Sequence, residues 1–127
     1  LYKGVKTTLS KLKKNNFIAI VTSKNRQRAI SILKHHNLKL DYICSPNTLL
    51  RGKPFPDQIN FVLKKFKMSK ENSVYVGDTK IDYLTAKKAK IQFIFADYGY
   101  GNLPVQNDVF KIRFISKILK YKFNEKN

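Results

Sequence analysis

One stretch of the chain decides its fold class: Val74-Tyr75-Val76-Gly77-Asp78-Thr79-Lys80-Ile81-Asp82. Its apolar beginning predicts a buried strand, and the residues from Tyr83 to Ala89 that follow it have the pattern of a helix. Gly77 permits a tight turn between the two elements and a close approach of the backbone to a ligand. Because ligands of open α/β sheets bind at the carboxyl ends of the strands, we expect Asp78 and Asp82 to lie beside a bound ligand.

The two carboxylates of this stretch allow two interpretations. Two hard oxygen ligands at a strand end suit Mg²⁺ bound beside a phosphate, which would make Asp78 and Asp82 a metal site. Alternatively, Asp82 caps the following helix and Asp78 lies in a solvated turn. The pair alone favours neither interpretation, so the rest of the chain has to decide.

Apolar runs of strand length alternate with helical patterns along the chain. The runs are Phe17–Val21, Tyr42–Cys44, Val74–Val76 and Ile91–Phe95. This alternation predicts an α/β fold with a Rossmann-like parallel sheet flanked by helices. Right-handed crossovers then bring the loops that follow these runs to one edge of the sheet. The tail from Val109 to Phe123 is apolar and basic by turns, and we expect it to end in a helix around Ile115 to Tyr121.

Length and composition exclude several classes of protein. With 127 residues, the chain is long enough for one domain with a real core. No apolar run approaches the roughly 20 residues of a membrane span, and the first residues lack the pattern of a signal peptide. The single Cys44 cannot form an internal disulfide, which fits a reducing compartment. We therefore expect a cytoplasmic protein without membrane contact.

The strong positive charge needs a separate interpretation. The net charge is +18, and 22 of the 26 basic residues are Lys, spread along the whole chain. Contacts that read bases favour the planar fork of Arg, of which the chain has only four. We therefore interpret most of these Lys as solvated helix faces and do not expect nucleic acid binding.

Three polar clusters follow predicted strands or lie in the long loop between them. They are Thr22-Ser23, Lys53-Pro54 and the segment from Gly77 to Asp82. A hydroxyl that donates to a phosphate oxygen, an ammonium that neutralises phosphoryl charge and carboxylates that hold Mg²⁺ are the groups that phosphoryl transfer needs. Taken singly, the hydroxyls could cap the next helix, and Lys53 could be one more solvated Lys.

The clusters resemble the second, third and fourth motifs of the haloacid dehalogenase-like superfamily of phosphohydrolases. The matching segments are Ile20-Val21-Thr22-Ser23-Lys24, Arg51-Gly52-Lys53-Pro54-Phe55-Pro56-Asp57 and Val76-Gly77-Asp78-Thr79-Lys80-Ile81-Asp82. Their order and spacing also agree with the family, over residues 1–105. The segment Asp97-Tyr98-Gly99-Tyr100-Gly101 resembles a loop of the phosphoglycolate phosphatase-like subgroup.

The resemblance implies an activity and a role for each site residue. It implies a Mg²⁺-dependent phosphatase that acts on small phosphorylated metabolites. Thr22 and Ser23 would bind the phosphate, and Lys53 would stabilise the nucleophile and the phosphoryl charge. Asp78 and Asp82 would hold Mg²⁺.

The sequence departs from the family pattern in one respect. The first family motif, Asp-x-Asp, supplies the nucleophile and lies on a central strand, and no Asp-x-Asp occurs in this sequence. The cap that follows this motif in the family has no counterpart either. Because the chain begins with Leu1 and not with Met, we expect a single partial core domain over residues 1–127 that lacks part of its N-terminus and is inactive alone.

This departure makes a structural prediction and leaves a second function open. We expect a gap or a distortion between the strands that end at Val21 and Val76, where the family places its first strand. The alternative function is a non-catalytic haloacid dehalogenase-like protein that binds a partner or nucleic acid through its basic surface.

Overall fold

A computed structural model describes residues 4–97 and 109–120 of the chain. Helices and parallel strands alternate along these residues, which confirms the predicted α/β class. The elements in chain order are α1 (Val5–Lys13), β1 (Ala19–Val21), α2 (Arg26–His35), β2 (Tyr42–Cys44), α3 (Asp57–Lys65), β3 (Val74–Gly77), α4 (Lys80–Ala89), β4 (Gln92–Ala96), β5 (Phe110–Ile112) and a 3₁₀ helix (Ile115–Lys120).

The strands form two parallel sheets. β1 pairs with β2, with Ile20 opposite Ile43. β3 pairs with β4, and β4 pairs with β5 on its other side. In the described part of the chain β1 and β3 are not hydrogen-bonded to each other. The predicted separation of the strands that end near Val21 and Val76 is therefore confirmed.

The structure differs from the sequence predictions in several details. β4 runs from Gln92 to Ala96 and not from Ile91 to Phe95. The first strand begins at Ala19 and not at Phe17, because Ile18 already pairs its backbone N–H with the carboxylate of Asp41. β5 was not predicted, because it is only three residues long and has the charged Lys111 at its centre. The helix predicted near the end of the tail is present as a 3₁₀ helix, Ile115–Lys120. Beyond Asp97, the loop that resembles the phosphoglycolate phosphatase-like subgroup lies outside the described residues.

The best-buried part of the core surrounds β4. Ile94 and Phe95 of this strand are buried, and they pack with Ile112 of β5 and with the inner face of α4. α3 contributes Ile59 and Val62 to the smaller core beside β1. Both helices begin at the edge of the sheet where the strands end, so they position the loops of the candidate site.

A helix that crosses a bilayer needs about 20 predominantly apolar residues. None of the helices in residues 4–97 and 109–120 has that length and apolar character.

Candidate active site

A close charge pair joins two of the predicted site residues. Lys53 Nζ lies 2.8 Å from Asp82 Oδ1, and their side chains are 18% and 7% exposed. Lys53 comes from the loop before α3, whereas Asp82 lies in the first turn of α4. The fold therefore brings together two residues that are 29 positions apart in the sequence.

Asp82 accepts four hydrogen bonds. Its Oδ1 accepts from Lys53 and from the hydroxyl of Tyr75 at 3.2 Å. Its Oδ2 accepts from the hydroxyl of Thr79 at 2.9 Å and from the backbone N–H of Asp78 at 3.2 Å. A carboxylate offers about four lone-pair positions, so these donors use the hydrogen-bonding capacity of Asp82.

The same contacts set the protonation of the site. Burial by itself would raise the pKa of Asp82, but the hydrogen bond and positive charge of Lys53, together with the hydroxyls of Thr79 and Tyr75, lower this pKa below its usual value. Burial raises the pKa of Tyr75, and the negative charge of Asp82 raises it further. Asp82 is therefore an anion and Tyr75 a neutral donor at neutral pH.

The turn between β3 and α4 bears on whether Asp82 is a helix cap or part of a binding site. Thr79 is the N-cap of α4, because its hydroxyl accepts from the backbone N–H of Asp82 at 3.1 Å. The carboxylate of Asp82 supports this cap from the first turn and also binds Lys53. Asp82 is therefore not the cap itself: its carboxylate binds both the hydroxyl of the capping Thr79 and the ammonium group of Lys53.

Gly77 is required by the packing of this turn. A side chain at position 77 would collide with Cβ, Cγ and Oδ2 of Asp82. The close approach predicted for Gly77 is therefore, in the structure, an approach to the side chain of Asp82. Asp78 follows as a half-buried residue whose backbone N–H binds the same carboxylate.

Thr22 and Ser23 follow β1 but do not cap the next helix. Asn25 is the N-cap of α2, with its side chain accepting from the backbone N–H of Arg28 at 2.8 Å. The hydroxyl of Thr22 accepts from the backbone N–H of Lys24 at 3.1 Å, which closes a short turn, and Ser23 is exposed. Among the described residues Thr22 makes no hydrogen bond to Lys53 or Asp82, so only the latter two are brought into direct contact.

The loop that carries Lys53 is fixed by an ion pair that the sequence analysis did not identify. Arg51 donates to Asp57 through Nε and Nη2, both at 2.9 Å, and through its backbone N–H at 3.0 Å. The guanidinium of Arg51 also lies 4.0 Å from the ring centre of Phe55. The spacing of Arg51 and Asp57 across two prolines was the available signal, because it permits a closed loop.

Few side chains in the described part of the chain could act as ligands of a metal ion. In residues 4–97 and 109–120 no group of three or more His, Cys, Asp or Glu side chains could hold a metal ion. The candidate oxygen ligands at this strand end are the carboxylates of Asp78 and Asp82, and that of Asp82 already accepts four hydrogen bonds. Mg²⁺ binds through one or two carboxylates while it keeps several waters, so this pair fits Mg²⁺ better than a metal that needs a full protein cage.

Comparison with known proteins identifies the family. The family model of haloacid dehalogenase-like hydrolases matches residues 1–96. The chain is 35% identical over 111 residues to a phosphoglycolate phosphatase of Vibrio cholerae, covering 84% of this chain and 49% of that protein. It is 32% identical over 105 residues to phosphoglycolate phosphatase 1 of Pseudomonas aeruginosa, covering 80% of this chain and 39% of that protein.

Solved structures agree with this assignment. A predicted phosphoglycolate phosphatase from Haemophilus somnus superimposes with a TM-score of 0.83 at 26% identity, covering 94% of this chain and 56% of that one. A haloacid dehalogenase-like family protein from Streptococcus pneumoniae shares the fold, with a TM-score of 0.82 at 23% identity over 95% of this chain and 59% of that one.

The chain belongs to the haloacid dehalogenase-like hydrolase family. It spans about half the length, or less, of the curated relatives named above.

Proposed function

We propose that this chain supplies the phosphate- and metal-binding part of a Mg²⁺-dependent phosphatase that acts on small phosphorylated metabolites. The observation that carries the proposal is the 2.8 Å contact between Lys53 Nζ and Asp82 Oδ1. It holds an ammonium group at the edge of the sheet where the strands end, which is where ligands of α/β proteins bind. The relatives from Vibrio cholerae and Pseudomonas aeruginosa, which are named phosphoglycolate phosphatases, support this substrate class.

Each site residue has a role in this proposal. The hydroxyls of Thr22 and Ser23 donate to phosphate oxygens. Lys53 neutralises the charge that the phosphoryl group carries in the transition state. Asp82 holds Lys53 in position through their hydrogen bond.

The metal would bind mainly through Asp78. We assign direct coordination to Asp78, in keeping with the resemblance of its segment to the fourth family motif, and contact through water to Asp82, whose carboxylate already accepts four hydrogen bonds. When bound, Mg²⁺ would neutralise phosphate charge as a Lewis acid. The affinity of this pair for Mg²⁺ alone is expected to be on the order of millimolar or weaker, because Mg²⁺ sites of this kind normally include a phosphate ligand.

We further propose that residues 1–127 form one partial core domain without turnover of its own. No Asp-x-Asp sequence is present to supply the nucleophile, and binding groups cannot replace a covalent step. An assay with an aryl phosphate and Mg²⁺ should give only the background rate of hydrolysis. Turnover that disappears in Asp78→Asn would show that the chemistry is assigned to the wrong residues.

A binding experiment tests the proposed roles directly. In a titration followed by amide NMR, Mg²⁺ should shift the signals of Gly77 to Asp82, and inorganic phosphate should shift those of Thr22 to Lys24 and of Lys53. Lys53→Met should abolish the phosphate response. Lys34→Met, at an exposed position of α2, is the matched control and should preserve it.

The same titration can contradict the proposal. If Lys34→Met and Lys53→Met weaken phosphate binding equally, or if phosphate shifts signals all over the basic surface, phosphate binding is non-specific. That outcome would favour the alternative of a non-catalytic protein with a basic binding surface.

A further inference from the structure

Gln58 connects the ends of two strands through one side-chain amide. This residue lies in the first turn of α3 and is 0% exposed. Its Nε2 donates to the backbone carbonyl of Thr22 at 2.8 Å and to that of Cys44 at 3.0 Å. Cys44 ends β2, and Thr22 directly follows β1. One amide group therefore holds the carboxyl ends of both strands of this sheet.

The orientation of the amide follows from these two contacts. The opposite orientation would place Oε1 of Gln58 against two carbonyl oxygens, which only accept hydrogen bonds. In the observed orientation Oε1 has no hydrogen-bond partner among the described residues. The side chain of Gln58 thus acts through its two donors, which an apolar residue of similar length would lack.

Gln58 is also attached to the loop that carries Lys53. The preceding residue, Asp57, receives three hydrogen bonds from Arg51, which close the loop of residues 51–57 onto the start of α3. Lys53 lies inside this closed loop and reaches Asp82. The turn after β1 and the Lys53 loop are therefore joined through two consecutive residues at the start of one helix.

We propose that Gln58 is a positioning residue that holds the turn of Thr22 and Ser23 in place relative to Lys53. Thr22 and Lys53 make no direct hydrogen bond in the described part of the chain, so their relative position depends on an intermediate element. Gln58 supplies it through the backbone of Thr22 and leaves the hydroxyl side of the turn to the ligand. The ligand in question is the phosphate group of the proposed function, on which this inference rests.

The test compares two variants in the same helix. Gln58→Met keeps the length of the side chain and removes both donors. Val62→Ala removes buried apolar volume from the same helix, and the Val62 side chain has no polar atom that could bind Thr22. Amide hydrogen exchange at Thr22 and Lys24, and the dissociation constant of inorganic phosphate, are measured for both variants well below their unfolding temperatures.

We expect the two variants to differ at the turn. Gln58→Met should accelerate exchange at Thr22 and Lys24 by about tenfold relative to the amides of β4 and weaken phosphate binding by about fivefold to tenfold. Val62→Ala should lower the unfolding temperature without either local effect. Equal local effects in both variants, or faster exchange with unchanged phosphate affinity, would overturn the inference.

Two further outcomes keep the inference separate from the proposed function. If the unmodified protein does not bind phosphate, the proposed function fails, and the exchange rates alone decide the role of Gln58. If Gln58→Met does not fold, the unmodified protein is used, and the coupling across the hydrogen bonds from Nε2 to the carbonyl carbons of Thr22 and Cys44 is measured by NMR. Absence of both couplings would overturn the inference.

Discussion

The two sheets of the molecule differ in how completely they are buried. β4 has a strand on each side, and its last three residues are buried. In the described residues β1 and β2 each have one strand partner, every residue of β1 is half-buried, and only Cys44 of β2 is buried. Asp82 lies in α4, which packs on the better-buried sheet. The turn of Thr22 follows a strand of the more exposed sheet.

This difference shows how the site is supported. Apart from Lys53, the donors to Asp82 come from its own turn and from Tyr75 of β3, so its position depends mainly on half-buried residues that are close to it in the sequence. The backbone of Thr22 is held by Cys44 of β2 and by Gln58 of α3, both of which are distant in the sequence. We therefore expect changes in the β3–β4–β5 sheet to affect the whole fold and changes in the β1–β2 sheet to act locally.

The largest difference in stability should appear when an Ile is replaced by Ala in each of the two sheets. Ile94→Ala removes a fully buried side chain in the central strand and should lower the free energy of unfolding by about 4 kcal/mol. Ile20→Ala, in half-buried β1, should lower it by about 1–2 kcal/mol, because part of this side chain is already in contact with water. Urea denaturation of both variants measures the difference, and equal losses would contradict the contrast between the sheets.

Much of the fold could be predicted from the sequence because apolar runs of strand length are a strong local signal. The parallel strands that contain Ile20, Ile43, Val76 and Ile94 were predicted on that basis. The separation of β1 from β3 was expected from the family resemblance, because the sequence lacks the motif of the first family strand. β5 could not be predicted, because three residues with a central Lys111 have no pattern apart from the strand they pair with.

The candidate site was predictable to a smaller extent. The approach of Lys53 to the turn of Asp82 follows from the topology, since both lie at the edge where the strands end. The donors around Asp82 and the contacts of Gln58 depend on which atoms meet in three dimensions. A polar Gln in an amphipathic helix gives no sequence signal that it will be fully buried.

The second prediction compares the two ion pairs near Lys53. Asp82→Asn removes the charge that faces Lys53 in a largely buried network, and it should lower the free energy of unfolding by about 2–3 kcal/mol. Asp57→Asn removes the partner of Arg51, whose side chain is 63% exposed, and should cost less because solvent screens this pair. Urea denaturation at neutral pH tests the ranking, and a larger loss for Asp57→Asn would contradict it.

The third prediction compares the N-cap of α2, which packs on the β1–β2 sheet, with the N-cap of α4, which packs on the β3–β4–β5 sheet. Asn25→Ala removes the N-cap of α2, an exposed residue, and should cost about 1 kcal/mol. Thr79→Ala should cost about 2 kcal/mol, because it removes the N-cap of α4 and also the hydroxyl that binds Asp82. Thermal unfolding of both variants measures this difference. If Thr79→Ser does not restore most of the loss, the hydroxyl is not the cause.

The smallest change in the free energy of unfolding is expected in mild acid, because Asp82 only begins to be protonated there. Its folded pKa is lowered, so the stability that its ionised form contributes is complete above the unfolded pKa of about 3.9 and is lost as the pH falls through the lower folded value. The free energy of unfolding, measured by urea denaturation between pH 6 and pH 3, should therefore decline mainly below about pH 4.

Asp57 contributes to this decline in the same direction, because its hydrogen bonds with Arg51 also lower its pKa. The two carboxylates are separated by repeating the pH series with Asp82→Asn and Asp57→Asn. Asp82→Asn should remove the larger share of the slope, because Asp82 belongs to the more buried pair. An unchanged slope in Asp82→Asn would mean that its carboxylate has the same pKa in the folded and unfolded states. The ion pair between Lys53 and Asp82 would then contribute nothing to the free energy of unfolding.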